Sequence, residues 1–241
     1  MRHFIFVCIS LLTLLPSFVF GITSDDVAKL RGIKAQEMSK TVTSQDRTTY
    51  FSHDISGRLS QAKKLAGAKG KYTKAIYTWT EDGTSVIMKI LSLKASRDEV
   101  IGEAKALSKL NDLRGTGRVN MRSIIHNKMF PAIIMSKKTG ESYFSSQAYK
   151  QTHKKARGAL LQSVKEKVCE EVARVASTTG ILHYDNQPDN ILITFSKDGS
   201  NVLSVQLIDY GPPYTYAVDT SVSKESIVDV CQSSSVWKLW Q

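Results

Sequence analysis

The strongest alternation of apolar and polar positions lies in residues 154–177. Apolar side chains recur there every three or four positions, and charged residues fill most of the positions between them. This spacing predicts a long amphipathic helix with one buried face, and Gly180 is its expected end. The apolar positions are Leu160, Leu161, Val164, Val168, Val172 and Val175.

A second helix is predicted where the sequence offers a capping box. Ser96 precedes Glu99 by three positions, and apolar residues follow at positions 100, 104, 107 and 110. In a capping box the serine accepts a bond from the glutamate's backbone, and the glutamate side chain reaches back to the serine. Glu99 is therefore committed to the helix end, whereas Glu103, one turn further on, is available to another partner.

Two β-hairpins are predicted from apolar runs that an Asp-Gly pair connects. Asp-Gly is a strong signal for a two-residue turn between antiparallel strands. The runs are residues 76–80 and 85–91 around Asp82-Gly83, and residues 191–193 and 202–207 around Asp198-Gly199. Residues 123–126 and 130–135 read as two further strands, and residues 111–122, which contain Gly115 and Gly117, are predicted to be a loop.

The first residues have the pattern of a secretory signal peptide, predicted to cover residues 1–21. Arg2 and His3 precede an apolar run to Phe20. This run has about 17 residues and contains Pro16, whereas a membrane-spanning helix needs roughly 20 apolar residues. The prediction is therefore secretion, without stable membrane insertion. Residues 22–55 form an amino-terminal extension, with an amphipathic helix over 23–39 and a polar linker over 40–54.

Charge and cysteine content narrow the range of possible functions only slightly. The chain has 241 residues and a net charge of +11, and loss of residues 1–21 removes Arg2 but no acidic residue. Such a surface favours polyanions, and nucleotide phosphates, acidic proteins, anionic lipids and nucleic acids fit equally well. Cys169 and Cys231 would remain, at a spacing that suits no metal cluster; a disulfide and two free thiols are both open.

Candidate chemistry is concentrated on residues 183–190 and 209–211. Asp185 and Asn190 lie five positions apart before an apolar strand, and Asp209 ends the next apolar strand. Phosphoryl transfer needs this set, since one carboxylate receives the proton of the attacking hydroxyl while an amide and a second carboxylate hold Mg²⁺. The segments read His183-Tyr184-Asp185 through Asn190, and Asp209-Tyr210-Gly211. They resemble the protein kinase motifs H-x-D-x-x-x-x-N and D-F-G.

Four upstream segments extend the resemblance. Val86-Ile87-Met88-Lys89 resembles the kinase strand whose lysine contacts the α- and β-phosphates, and Glu103 resembles the helix glutamate that pairs with this lysine. Gly67 and Gly70 fall where kinases have their glycine-rich loop, and Met135 falls where a strand leads into the hinge, here residues 136–140.

The resemblance implies an α+β, bilobal protein kinase-like fold over residues 56–241. Its small antiparallel N-lobe, with one αC-type helix, would cover about 56–135, and a truncated, mainly helical C-lobe would cover about 136–241. ATP and Mg²⁺ are the implied cofactors. Asp185 would be the catalytic base, Lys89 and Glu103 would serve the nucleotide, and Asn190 and Asp209 would bind the metal.

The sequence also departs from the kinase pattern. Gln187 stands where protein kinases carry a lysine, and Tyr184 replaces the arginine that answers a phosphorylated activation loop. Beyond Gly211 the sequence has no A-P-E motif, and only one further helix, over 223–231, is predicted. Trp237 and Trp240 are expected to pack back on this shortened lobe.

The expected activity is transfer of the ATP γ-phosphate to a Ser or Thr hydroxyl of a protein. The resemblance to small secreted effector kinases suggests a host protein as the acceptor. The enzyme is expected to be a monomer, and nucleic acid is not an expected partner. Two alternatives stay open: a nucleotide-binding pseudokinase, favoured by Gln187 and the degraded glycine loop, and a small-molecule kinase built on the same H-x-D core.

Overall fold

The computed structural model describes residues 32–65, 72–122 and 127–241. Its helices are α1 (Ser44–Thr49), α2 (Arg97–Lys109), α3 (Gln147–Gln151), α4 (Arg157–Thr179) and α5 (Lys224–Gln232). Its strands are β1 (Gln36–Glu37), β2 (Lys63–Lys64), β3 (Thr73–Glu81), β4 (Thr84–Leu91), β5 (Leu113–Arg122), β6 (Asn127–Ser136), β7 (Ile181–His183), β8 (Ile191–Phe195), β9 (Val202–Leu207) and β10 (Thr215–Ala217). Short 3-10 helices cover Met38–Thr41, Ser56–Gln61, Tyr143–Ser145, Lys154–Ala156, Pro188–Asn190 and Ser235–Trp240.

The fold is a mixture of helices and antiparallel sheets, as the sequence predicted for the fold class. One sheet has five strands in the order β2-β3-β4-β6-β5, a second has three in the order β1-β10-β7, and β8 pairs with β9. All these strand pairs are antiparallel. The first predicted hairpin is confirmed as β3 and β4, and the turn residues Asp82 and Gly83 have φ of 49° and 74°, as a tight hairpin turn requires.

Strand β4 lies in the middle of the five-stranded sheet, and its two faces serve different cores. Val86, Met88 and Ile90 pack with residues of β5 and β6 in one apolar cluster. Successive side chains point to opposite faces of a strand, so Lys89 faces the other side, where Leu91 joins the main core. The charged residue is thus aimed at the interior between this sheet and the helices.

Helix α4 supplies the centre of the main core, as its apolar periodicity predicted. Val164, Val168 and Val172 are fully buried, and Gly180 ends the helix with φ of 69°. A disulfide joins Cys169 on this helix to Cys231 on α5, which decides the question that the sequence left open. Trp237 and Trp240 are buried in the same core, as predicted.

The predicted loop over residues 111–122 is wrong, because most of it is strand β5. One of the two glycines that suggested a loop, Gly117, has a packing role instead. A Cβ on Gly117 would lie 2.8 Å from the carbonyl oxygen of His53 and 2.7 Å from Cγ2 of Ile55. The backbone of the preceding extension crosses the strand here and exchanges hydrogen bonds with Arg118, so only glycine fits.

The extension also differs from its prediction. Over its described part, the segment predicted as a helix at 23–39 contains β1 and the beginning of a 3-10 helix. The predicted linker at 40–54 contains α1, which begins with a capping box from Thr43 and Asp46. Leu59 lies in a 3-10 helix, which β2 follows. These segments are ordered by contacts with distant parts of the chain.

Several predictions lie outside the described residues: the signal peptide at 1–21, the glycines Gly67 and Gly70, and the strand at 123–126. The domain boundaries at 21, 55 and 135 stay predictions. Within the described ranges, no helix is both long enough and apolar enough to span a bilayer.

Candidate functional site

Lys89 and Glu103 form a buried ion pair. The Lys89 Nζ atom lies 2.8 Å from Glu103 Oε1, with side chains that are 11% and 5% exposed. Glu99 is held at the helix end, where its carboxylate accepts a bond of 2.7 Å from the backbone of Ser96. The argument that chose Glu103 over Glu99 is therefore confirmed in the geometry.

Asp209 completes this cluster from the other side. Its Oδ1 atom lies 2.5 Å from Lys89 Nζ, and its side chain is 48% exposed. Its backbone has φ of 62°, a left-handed conformation that is costly for most residues but is tolerated best by Asp and Asn among those with a side chain. Residues from β4, from α2 and from the end of β9 thus converge at one ammonium group.

Electrostatics in this cluster follow from its burial. Burial alone lowers the pKa of Lys89, but the carboxylates of Glu103 and Asp209 outweigh it, so the pKa is raised and the lysine is charged. Burial raises the pKa of Glu103, against the attraction of Lys89. The ammonium of Lys89 lowers the pKa of Asp209. Only Asp209 combines a firm negative charge with wide access to solvent.

Asp185 and Asn190 meet at the loop between β7 and β8. Asn190 Nδ2 donates to Asp185 Oδ2 at 2.9 Å and to its backbone oxygen at 3.1 Å. The carbonyl oxygen of Asn190 accepts from the backbone of Ile208 at 2.9 Å, the residue before Asp209. The sheet pairing of β8 with β9 therefore brings the two motifs side by side.

His183 fixes this loop from inside. It is fully buried; its Nε2 atom lies 2.9 Å from the carbonyl oxygen of Ile208, and its Nδ1 atom lies 3.2 Å from Oδ1 of Asn186. A carbonyl only accepts, so Nε2 carries a proton. Both ring nitrogens therefore have partners within the protein, and His183 holds the Asp185 loop in place.

The environment of Asp185 raises its pKa. Burial is the largest cause, His183 opposes it, and the negative charge of Asp209 adds to it. A carboxylate with a raised pKa is a stronger base than a solvent-exposed one, which suits a group that takes a proton from a hydroxyl. Asp209 thus contributes to the electrostatic environment of Asp185.

The oxygen atoms at the site fit Mg²⁺ bound together with phosphates. Within the described ranges, no group of three or more His, Cys, Asp or Glu side chains is arranged to hold a metal ion by itself. Mg²⁺ in nucleotide sites commonly takes one or two protein oxygens and completes its shell with phosphate and water. Asn190 uses its amide nitrogen on Asp185, and Asp209 uses Oδ1 on Lys89, so one oxygen of each remains for a metal.

The predicted hinge connects the five-stranded sheet to β8. Met135 pairs with Ile87 of β4 near the end of β6, and Glu141 then forms an isolated bridge with Ile193. Gly140 has φ of 119°, and a Cβ there would lie 3.0 Å from the backbone nitrogen of Ile193. The segment between them is therefore short and closely packed on the strand that follows Asn190.

Some residues that build the site were not predicted. Asn186 is fully buried, and its carbonyl oxygen accepts from the indole nitrogen of Trp240 at 2.9 Å. Gln187 donates to Asp185 Oδ2 at 3.3 Å, and Tyr184 is buried in the core. Of the two departures from the kinase pattern, Gln187 therefore contacts Asp185, and Tyr184 packs in the core. No local signal in the sequence indicated that Trp240 reaches this loop.

Comparisons with known proteins leave the family open. No protein-family model matches the chain, and no curated protein matches it. Among solved structures, the chain is similar to Rad53 1–466 in complex with AMP-PNP, with 20% sequence identity and a TM-score of 0.43. The match covers 64% of this chain and 39% of that one. A similarity of this degree carries no argument about function, which rests on the geometry of the site.

Proposed function

We propose that this chain is an ATP-dependent phosphotransferase with a minimal, bilobal protein kinase-like architecture. The five-stranded sheet and α2 would form the small lobe, and the nucleotide would bind between it and the part built around α4. The observation that carries the proposal is the convergence of Lys89, Glu103 and Asp209 in one charged cluster beside Asp185 and Asn190. These are the residues that the motif resemblance selects.

In the proposed reaction Lys89 is the phosphate anchor. Glu103 holds it within the cleft, and the phosphates, being negative, compete with Asp209 for its ammonium. The adenine would meet the backbone of the hinge after Met135, and Gly67 and Gly70 would lie over the phosphates. Mg²⁺, held by Asn190 and Asp209, would neutralise charge on the phosphate oxygens.

Asp185 would orient the acceptor hydroxyl and take its proton as the oxygen attacks the γ-phosphorus. The bond between that phosphorus and the β,γ-bridging oxygen breaks, and ADP leaves with the bond electrons. Gln187 lies where it donates to Asp185, and a neutral amide there supplies no positive charge to the transferred group. We therefore expect slower turnover than in kinases with a lysine at this position.

The acceptor in this proposal is a Ser or Thr hydroxyl of a protein, and the enzyme acts after secretion. Residues 1–21 motivate secretion, and the positive net charge of the chain favours an acidic target surface. A host protein is the acceptor that the resemblance to small effector kinases suggests.

A transfer assay tests the proposal. Purified protein is incubated with Mg²⁺, γ-labelled ATP and separated lysate proteins, in parallel with Asp209→Ala and Asp185→Asn. We expect wild-type protein to label a protein band and each variant to lose label by about a thousandfold, within the range known for removal of a positioned base. Equal label from all three proteins, or none from any, would exclude phosphotransfer as the function.

A nucleotide-binding module without turnover is the second candidate. The observation that favours it is the contact of the neutral Gln187 with Asp185, because this amide supplies no positive charge to the transferred group. A thermal-shift titration with Mg·ATP separates the two candidates, since stabilisation by nucleotide without transfer supports the module. Transfer that depends on Asp185 would exclude it.

A further inference from the structure

The amino-terminal extension connects the two halves of the candidate site. Its strand β1 pairs with β10, placing Gln36 opposite Ala217. Strand β10 pairs in turn with β7, placing Thr215 opposite His183, two residues before Asp185. The extension is therefore the edge strand of the sheet from which the Asp185 loop emerges.

Immediately after β1 the same segment packs on helix α2. Met38 is fully buried in the main core together with Ile101. A Cβ on Gly102 would lie 2.9 Å from the backbone nitrogen of Ser39 and 3.1 Å from Cγ of Pro212. The extension, α2 and the segment that follows Asp209 meet at this glycine, one position before Glu103. Because the backbones approach so closely, this contact fixes the position of α2 next to Glu103, the residue that pairs with Lys89.

Two ion pairs then hold the flanks of the helix. Lys105 Nζ lies 2.7 Å from Asp46 Oδ2, with side chains that are 19% and 18% exposed, and 2.6 Å from the backbone oxygen of Thr41. Arg47 bonds Asp98 through two nitrogens, at 2.9 Å and 2.6 Å. One pair lies near the amino end of α2 and the other lies two positions beyond Glu103.

We propose that residues 36–47 act as a built-in clamp that positions Glu103 against Lys89, with Lys105 as its principal positioning residue. The inference rests on the proposed function for its catalytic consequence, and on the contacts above for its structural one. Lys105 touches neither substrate nor phosphate in this proposal; it acts through α2. In a chain whose Tyr184 replaces the arginine that answers a phosphorylated loop, the clamp would keep the ion pair formed permanently.

Amide hydrogen exchange tests the clamp without any need for activity. The test variant is Lys105→Met, which keeps the aliphatic stem and removes the charge. The control is Arg58→Met, which removes a cation that lies just after the extension and pairs with Glu81 at the far end of β3. We expect exchange over residues 97–109 to rise about tenfold in the test variant and to stay unchanged in the control and in α4. Unchanged exchange over α2 would overturn the clamp.

A double-mutant cycle tests the route through Glu103. Lys105→Met should lower kcat/KM for ATP about tenfold in the wild-type background and by less than about twofold in Glu103→Gln, because effects that pass through one contact are not additive. Lys105→Arg should restore most of the activity. The same loss in both backgrounds would overturn the positioning role, even with faster exchange.

The outcomes separate the two proposals. If wild-type protein binds Mg·ATP but transfers nothing, the cycle is measured on the dissociation constant of Mg·ATP. If wild-type protein neither binds nor transfers, the proposed function fails, and so does the role of Lys105 in nucleotide chemistry. The exchange comparison of Lys105→Met with Arg58→Met then still decides whether residues 36–47 hold the helix.

Discussion

The two halves of the candidate site are held in place by different forces. On one side, the loop of Asp185 rests on packing and hydrogen bonds: His183 bonds Ile208 and Asn186, and Trp240 donates to the carbonyl of Asn186. On the other side, Lys89 is held by the charges of Glu103 and Asp209. Packing and hydrogen bonds fix the Asp185 loop, whereas ion pairs hold Lys89.

This difference fits the tasks proposed for the two halves. A buried, close-packed support has one well-packed arrangement and is little affected by salt in the solvent. A charged cluster can exchange one anionic partner for another, so phosphates can take the place of Asp209 on Lys89 at modest cost. The side that must stay fixed is thus built from packing, and the side that must accept a charged ligand is built from ions.

Removal of Trp240, which bonds the Asp185 loop, should give the largest loss of stability. Trp240 is 1% exposed and stacks near Tyr143 and Trp237. We expect Trp240→Ala to lower the free energy of unfolding by about 3 to 5 kcal/mol, the usual cost of truncating a buried aromatic residue. Trp240→Phe, which keeps most of the packing and loses the bond to Asn186, should cost about 1 kcal/mol. Urea unfolding measures both, and equal losses would mean that packing is not what holds this side.

Removal of the disulfide should cause the next largest loss of stability, again on the Asp185 side of the site. Cys169 and Cys231 lie 62 positions apart in sequence, and cross-links of long loops stabilise folded proteins by about 2 to 4 kcal/mol. We expect the double variant Cys169→Ala/Cys231→Ala to lose about 3 kcal/mol in urea unfolding. The single variants serve as controls, because each alone already breaks the bond. Two free thiols titrated in the denatured, unreduced protein would contradict the pairing.

Disruption of the ion pairs around Lys89 should cost less stability, and a second substitution should restore most of it. Lys89→Met leaves Glu103 buried without its cation, and loss of one partner of a buried pair is destabilising. Because Asp209 reaches solvent and Glu103 can take up a proton, we expect a loss of about 2 kcal/mol, below the full cost of an isolated buried charge. Adding Glu103→Leu should restore most of this stability while nucleotide affinity stays lost. A double variant that is less stable than Lys89→Met would show that charge is not the organising force here.

The sequence predicted the elements that carry the candidate site residues better than it predicted the amino-terminal extension, for a physical reason. Lys89, Glu103, Asp185, Asn190 and Asp209 lie on elements whose local patterns are strong: a hairpin, a capped helix and two strands around an Asp-Gly turn. The capping box even separated Glu99 from Glu103, because a side chain that bonds its own helix end is not free for a distant lysine. Local chemistry was sufficient in these cases.

The extension escaped prediction because its structure is set by distant contacts. Gly102 and Gly117 look like weak points in a helix and a strand, yet each makes room for a backbone from residues 38–55. No periodicity in that segment reports a partner sixty positions away. The same holds for Trp240 and for the Cys169–Cys231 pairing, since a single sequence shows which side chains can be buried but not which of them meet.

The smallest predicted effect concerns Asp185, where the two sides adjoin. Burial raises its pKa above the ordinary 3.8, with Asp209 adding to the rise and His183 opposing it. A carboxyl whose pKa is higher when folded favours the folded state fully at pH values below 3.8, and this contribution is lost as pH rises through the folded value. Asp185→Asn has no proton to lose, so in the metal-free protein it should be slightly more stable than wild type at pH 7, by less than about 1 kcal/mol, although we expect it to be inactive.

A second carboxylate gives the matched control with the opposite sign. Bonds from Ser196 and Ser200 lower the pKa of Asp198 to about 2, so its stabilising contribution is present above 3.8 and is lost as pH falls toward 2. Asp198→Asn should therefore reduce stability at pH 7, with the difference disappearing in acid. Thermal unfolding of both variants and wild type between pH 3 and pH 8 measures the two slopes. A stability difference for Asp185→Asn that is constant across this range would mean that the base does not sit in the buried, negatively charged environment on which its proposed role depends.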